Sequence, residues 1–146
     1  MEAVVTYGPS MLPTIDLTTS VFIMEKISTR YGKVDRGDIV ILRHPQHPTR
    51  KITKRVIGLE GDRITYSSNP KSNRLEDDSL KYISHPENND KLETIVVPKG
   101  GVWVEGDNKY NSQDSRKFGS VPYDLIQGRI FWRITPFKYF GPFWHK

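Results

Sequence analysis

Two side chains have the type and setting for acyl-transfer chemistry. Ser10 lies in Gly8-Pro9-Ser10-Met11-Leu12-Pro13-Thr14. Pro9 and Pro13 fix φ and Gly8 permits an unusual backbone, so the serine sits on a stiff, non-helical turn where its hydroxyl is available as a nucleophile. A nucleophilic serine needs a base. Of the four histidines, His44 and His47 stand in a proline-rich loop, His85 in a polar stretch and His145 next to the last residue. None has a context that would orient it, and all four are expected at the surface. His44-Pro45-Gln46-His47 has no further ligands nearby to hold a metal. Lysine is the better base. If Arg50 to Ile57 is a strand, period two puts Ile52, Lys54 and Val56 on one face and Lys51, Thr53, Arg55 and Ile57 on the other. Lys54 is then the lone charge among β-branched neighbours. Buried there, it would be pushed toward the neutral amine that can take a proton from a serine. Each residue alone has a plainer reading: a serine between prolines makes a turn, and a lysine on an edge strand packs its stem and keeps its head in water.

The elements that must position these groups read as β-structure. Residues 1–7 form a short strand leading into the Ser10 turn. Val21–Glu25 and the continuous apolar run Ile39–Leu42 are strands, the second buried on both faces. Arg50–Ile57 follows, with Gly58 and Gly61-Asp62 ending it and Arg63–Tyr66 as its hairpin partner. Residues 67–93 are rich in Ser, Asn, Asp, Glu and Lys and read as an exposed insertion rather than a second domain. Strands resume at Thr94–Val97, Val102–Glu105 and Gly128–Ile134, with a polar, turn-rich segment over 106–120 and an aromatic tail from Pro136. Gly/Pro punctuation and the lack of a long amphipathic helix predict a mainly β fold of short antiparallel strands in one domain over 1–146.

Composition sets limits. The 146 residues are 36% hydrophobic and 27% charged, which fits a packed domain rather than a disordered chain. With no cysteine, disulfides and thiolate metal sites are excluded. No apolar run approaches the roughly 20 residues of a membrane span. The net charge of +5 favours anionic surroundings without choosing one.

Four blocks, in order and spread over residues 8–116, resemble the type I signal peptidase family. They are the Gly8–Thr14 turn; Arg36-Gly37-Asp38-Ile39-Val40; Thr53-Lys54-Arg55-Val56-Ile57-Gly58-Leu59-Glu60-Gly61-Asp62; and Gly106-Asp107-Asn108-Lys109-Tyr110-Asn111-Ser112-Gln113-Asp114-Ser115-Arg116. The last block and the small size are most like the mitochondrial inner-membrane branch. The resemblance implies a signal-peptidase-like β-fold and a Ser/Lys endopeptidase. Ser10 would be the nucleophile, its backbone N–H an oxyanion donor, and Lys54 the general base. Ser112 would aim the Lys54 amine, Asp114 and Arg116 would form a supporting ion pair, and Asp107 and Asn108 would shape the turn. Met11, beside the nucleophile, would touch substrate.

The resemblance further implies no cofactor, precursor proteins with presequences as substrates, a second peptidase subunit as partner, and work at the intermembrane-space side of the inner membrane. Two departures stand out. Bacterial members carry a serine two residues before the nucleophile as a second oxyanion donor, where this chain has Gly8. The family's N-terminal membrane anchor is missing from this sequence. Two other readings remain. One is an inactive structural subunit of such a complex. The other is a nucleic-acid-binding β-barrel using the run Arg43, Arg50, Lys51, Lys54 and Arg55, although the resemblance implies no nucleic acid.

Overall fold

A computed structural model describes residues 1–6, 8, 10–15, 20–67, 92–108, 112–135 and 140–143. Most of the expected insertion, His85, His145 and much of the aromatic tail lie outside the described residues. The strands are β1 (Glu2–Thr6), β2 (Ser20–Glu25), β3 (Ile39–Arg43), β4 (Lys51–Leu59), β5 (Arg63–Ser67), β6 (Leu92–Val96), β7 (Gly101–Glu105), β8 (Val121–Pro122), β9 (Ile126–Thr135) and β10 (Gly141–Pro142). One eight-stranded antiparallel sheet runs β1-β2-β9-β3-β4-β7-β8, with β10 added against β9; β5 and β6 form a separate ribbon. The described helices are single turns, such as Ile27–Arg30 and Ser115–Phe118. The mainly β expectation holds, and the Ser10 turn falls in the connection between β1 and β2.

β3 is the strand around which the interior divides. Its side chains alternate, and both faces are covered. Val40 and Leu42 join a first core with Val34, Val56, Val102, Val104, Val121 and Ile126. Ile39 and Ile41 join a second with Met11, Ile15, Phe22, Met24 and Ile130. Each fully buried side chain of this kind contributes about 1.5–3 kcal/mol. β4 pairs with β3 through Val40↔Lys54 and Leu42↔Ile52, and with β7 through Val56↔Val104. A register shift after Val56 leaves the half-exposed Ile57 as an extra residue and returns Leu59 to the first core.

The expected β4–β5 hairpin is not formed. Arg63–Tyr66 pairs instead with β6, for example Ile64↔Ile95. Gly61, at φ +86°, turns the chain sharply. Leu59 N–H then donates to Asp62 Oδ2 at 2.8 Å and Gly61 N–H to Val97 O at 2.8 Å, which steers the chain away from β4. The ribbon docks through a third core of Ile64, Val97 and Trp103. Its ladder also takes in both ends of the expected insertion: Ser67 pairs with Leu92 and Tyr66 with Glu93, so the 67–93 boundaries fall inside strands. In the tail, Phe143 packs edge-on against Phe22, with ring centroids 5.0 Å apart.

Two glycines permit close packing. A Cβ at Gly58 would fall 2.6 Å from Ile64 Cδ1, a side-chain end that can rotate away. A Cβ at Gly128 would fall 2.4 Å from Met24 Cγ and 2.8 Å from the backbone oxygen of Glu25, which cannot. Thermal unfolding should therefore rank the variants: Gly128→Ala loses roughly 1–3 kcal/mol and Gly58→Ala less. Equal losses, or the reverse order, would contradict this packing.

Candidate active site

The Ser10 turn is anchored from both sides. Gly8, at φ +98°, lets the chain leave β1 in a conformation that side chains disfavour. Beyond Ser10, Met11 and Ile15 are 3% and 2% exposed in the second core, and Ile15 N–H donates to Met11 O at 3.0 Å. Ser10 itself is half-buried. Met11, expected to touch substrate, has its side chain inside the core, which leaves its backbone for that role.

Lys54 is 3% exposed. Its Nζ donates to Ser112 Oγ at 3.0 Å, and Ser112 Oγ in turn donates to Asp114 Oδ2 at 2.7 Å. The amine's bonded partner is thus a neutral hydroxyl and not a carboxylate. Burial is the largest influence on its pKa and pushes it down from 10.5 to about 8. Asp114, one hydroxyl away, opposes this; the nearby Arg116 and Arg50 reinforce it.

Asp114 is the anchor of the late block. It is 0% exposed. Besides Ser112, it accepts Gly106 N–H at 2.8 Å, Arg116 Nη2 at 2.6 Å and Nε at 3.0 Å, and Arg116 N–H at 3.1 Å, capping the helix Ser115–Phe118. Burial alone would raise its pKa. The bonds from Arg116, Ser112 and Gly106 outweigh burial and hold the carboxyl below its ordinary value.

Gly106 joins the two halves. A Cβ there would lie 2.2 Å from Ser112 Oγ and 2.5 Å from Ser10 O. The backbone of Ser10 and the hydroxyl that holds Lys54 therefore pack on the same glycine. Asn108 N–H completes the join by donating to Ser10 O at 2.9 Å. Asp107 does more than shape a turn. It takes a bidentate pair from Arg55, Nε to Oδ1 and Nη2 to Oδ2, both at 2.8 Å, and a bond from Thr14 Oγ1. Arg55 Nη1 also donates to Gly37 O at 2.8 Å. One guanidinium thus ties β4, the Gly37 turn and, through Asp107, the far end of the nucleophile turn.

The expected residues Ser10, Lys54, Ser112, Asp114, Arg116, Asp107 and Asn108 all come to this corner. Arg55, Thr14 and Gly106 were not singled out for it, although each lies inside a motif block. Period two on β4 puts Arg55 opposite in facing to Lys54, a signal that it works for a different neighbour. The histidines depart from expectation in one case: His44 is 5% exposed, while His47 is at the surface. Its backbone extends the β3–β4 ladder by one pair, which draws the ring inward.

The family described as signal peptidase, peptidase S26, matches residues 1–135. The chain belongs to this family of peptidases. It is 47% identical over 136 residues to the mitochondrial ATP-independent inner membrane protease subunit 1b of Arabidopsis thaliana, covering 93% of this chain and 71% of that protein. It is 46% identical over 134 residues to the mitochondrial inner membrane protease subunit 1 of Mus musculus, covering 92% and 69%. Subunit 2 from Schizosaccharomyces pombe is 34% identical over 141 residues, covering 95% and 67%. A solved signal peptidase I from Enterococcus faecalis aligns at 27% identity over 66% of this chain and 96% of that one, with a TM-score of 0.48.

Gly106→Ala should lower kcat by about 100-fold or more, because it forces Ser10 and Ser112 apart by a fraction of an ångström or more. A near-normal turnover would show that this contact is not critical. Asp114→Asn removes the carboxylate bonded to the part-buried Arg116, leaving it Glu105 Oε1 at 4.0 Å, and should cost roughly 3–5 kcal/mol in denaturant unfolding. The carboxyl's pKa is lowered on folding, so its stabilisation is complete above about pH 4 and fades as pH falls through the lower folded value. The acid limb of stability against pH should therefore be shallower in Asp114→Asn.

Proposed function

We propose that this chain is a Ser/Lys endopeptidase, a single catalytic domain over 1–146. It removes N-terminal presequences from precursor proteins at the mitochondrial inner membrane, on the intermembrane-space side, beside a second peptidase subunit. The observation that carries the reading is the buried Lys54 amine bonded to Ser112 Oγ at 3.0 Å, with its pKa near 8, on the glycine that also packs the Ser10 backbone. The names of the similar proteins support the location and the subunit partnership.

Neutral Lys54 takes the Ser10 proton as Oγ attacks the scissile carbonyl. The resulting ammonium gives that proton to the leaving amine, and the carbonyl carbon stays on Ser10 as an ester. Water, deprotonated by Lys54, then hydrolyses the ester and restores Ser10. Ser112 holds the amine by accepting its hydrogen bond, while its own proton goes to Asp114. Arg116 and Arg55 act at one remove, fixing Asp114 and Asp107. The Ser10 N–H meets the oxyanion. Gly8 has no hydroxyl to add, so a second oxyanion donor has to come from another group or from backbone, and one such donor is worth roughly 3–4 kcal/mol. Met11 contributes backbone beside the substrate. No cofactor takes part.

Cleavage of a presequence-bearing precursor, with the partner subunit and detergent present, tests the reading. Ser10→Ala and Lys54→Met should each lower kcat by at least ~1,000-fold while the protein stays folded. Retained cleavage in either removes the dyad. A base of folded pKa about 8 predicts that wild-type kcat/KM climbs with pH and levels off above that value. Stability carries the matching sign. The lysine pKa is lowered on folding, so its penalty is full below about pH 8 and is relieved as pH rises toward 10.5. At neutral pH, Lys54→Met should be at least as stable as wild type, gaining up to ~3 kcal/mol in denaturant unfolding.

A further inference from the structure

His44 is a buried titratable group that the reaction above does not use. Its N–H donates to Arg50 O at 2.9 Å, and its Nδ1 accepts Gln46 N–H at 3.0 Å. That acceptor role requires Nδ1 to be unprotonated. By the alternation of β3, its ring continues the row of Val40 and Leu42, the face that β4 completes with Ile52, Lys54 and Val56. The ring meets Phe118 edge-on, with centroids 5.3 Å apart, and His47 at 4.9 Å.

Phe118 ends the helix Ser115–Phe118 and packs on the first core. The start of that helix is capped by Asp114 and pinned where Val104 N–H donates to Ser115 Oγ at 2.9 Å. Val104 pairs with Val56, two residues beyond Lys54 on the same face. The helix therefore crosses the face that carries Lys54. Asp114 and Ser115 hold one end, and the His44–Phe118 contact holds the other.

Resting on the Ser/Lys reading, we propose that His44 is a positioning residue: its buried ring pins the far end of the helix that covers Lys54, and so keeps water from the base and Ser112 in place on it. The charged groups around His44 are Arg50 and Lys54, with Lys117 and Arg116 on the helix beside Phe118; His47 is its titratable neighbour. Burial, and after it His47, Arg50 and Lys54, keep His44 below its ordinary pKa, so it is neutral near pH 8. Replacing it then removes no charge from the surroundings of Lys54. A change in Lys54 titration then reports how the helix sits beside the amine, through its cover against water and the distance of Arg116.

The test reads that titration in two ways: the pH midpoint of kcat/KM, and the pKa of Lys54 followed by NMR of its side-chain nitrogen, assigned with Lys54→Met. His44→Gln keeps an acceptor for Gln46 but loses the ring contact. Phe118→Leu loosens the same contact from the other side. Both should move the Lys54 midpoint up by ~0.5–1 unit, toward the solvated value, and lower kcat at pH 7 with little change in KM. His44→Phe keeps an aromatic ring and should stay near the wild-type midpoint. Folded His44→Gln and Phe118→Leu proteins with an unmoved midpoint would overturn the proposal. So would a His44→Phe midpoint displaced as far as that of His44→Gln. The NMR readout needs no turnover. A Lys54→Met enzyme that still cleaves would instead remove the Ser/Lys reading itself.

Discussion

A carboxylate with no access to water holds the active corner together. Asp114 is deep enough that each of its oxygens must be satisfied by protein, and it is satisfied from three directions: the backbone of Gly106, the hydroxyl of Ser112 and the guanidinium of Arg116. Those three bonds place the hydroxyl bonded to Lys54, the glycine on which the Ser10 backbone rests, and the start of the helix Ser115–Phe118. The Arg116 charge makes the burial affordable. Without it, an ionised carboxylate at zero exposure would be several kcal/mol too costly to keep.

The lysine presents the opposite problem. Among the described residues no carboxylate bonds it directly, and Asp114 acts on it only across Ser112 Oγ; on the proposed mechanism a bonded carboxylate would hold its proton and end its use as a base. The fold instead keeps it beside a hydroxyl and accepts the desolvation, about 3 kcal/mol for a displacement from 10.5 to about 8. That is the contribution of one or two fully buried aliphatic side chains. The same face carries Val40, Leu42, Val56, Val102 and Val104 at 0% exposure. The first core is large enough to carry one misfit, and the proposed chemistry needs that misfit.

Much of this was legible in the residues alone. The apolar run Ile39–Leu42 announced a strand covered on both sides, and period two on β4 singled out Lys54. What the chain could not reveal were contacts between segments distant in sequence. The Arg55–Asp107 pair spans 52 residues, and neither partner carries a local sign of the other. The hairpin expectation failed at Gly61, where turn chemistry was read correctly but the direction of the exit depends on Val97, far along the chain. His44 looked like a loop residue because prolines surround it. Its burial follows from one extra ladder bond that no local pattern encodes.

Consecutive residues of β4 have opposite duties. On the proposed mechanism Lys54 must be able to lose a proton, whereas Arg55 is a clamp whose guanidinium never does. The pleat alone separates them, one to each side of the sheet. A slip of β4 by a single position against β3 would exchange the two, installing a permanent cation where a neutral amine is required. The Ile57 bulge takes up the irregularity between β4 and β7 beyond this pair, so the phase of the strand at Lys54 is set by the regular β3 ladder. On that mechanism strand alignment is a component of the catalyst: a chain that collapses with the wrong pairing would be inert as a protease, and activity would report on correct folding.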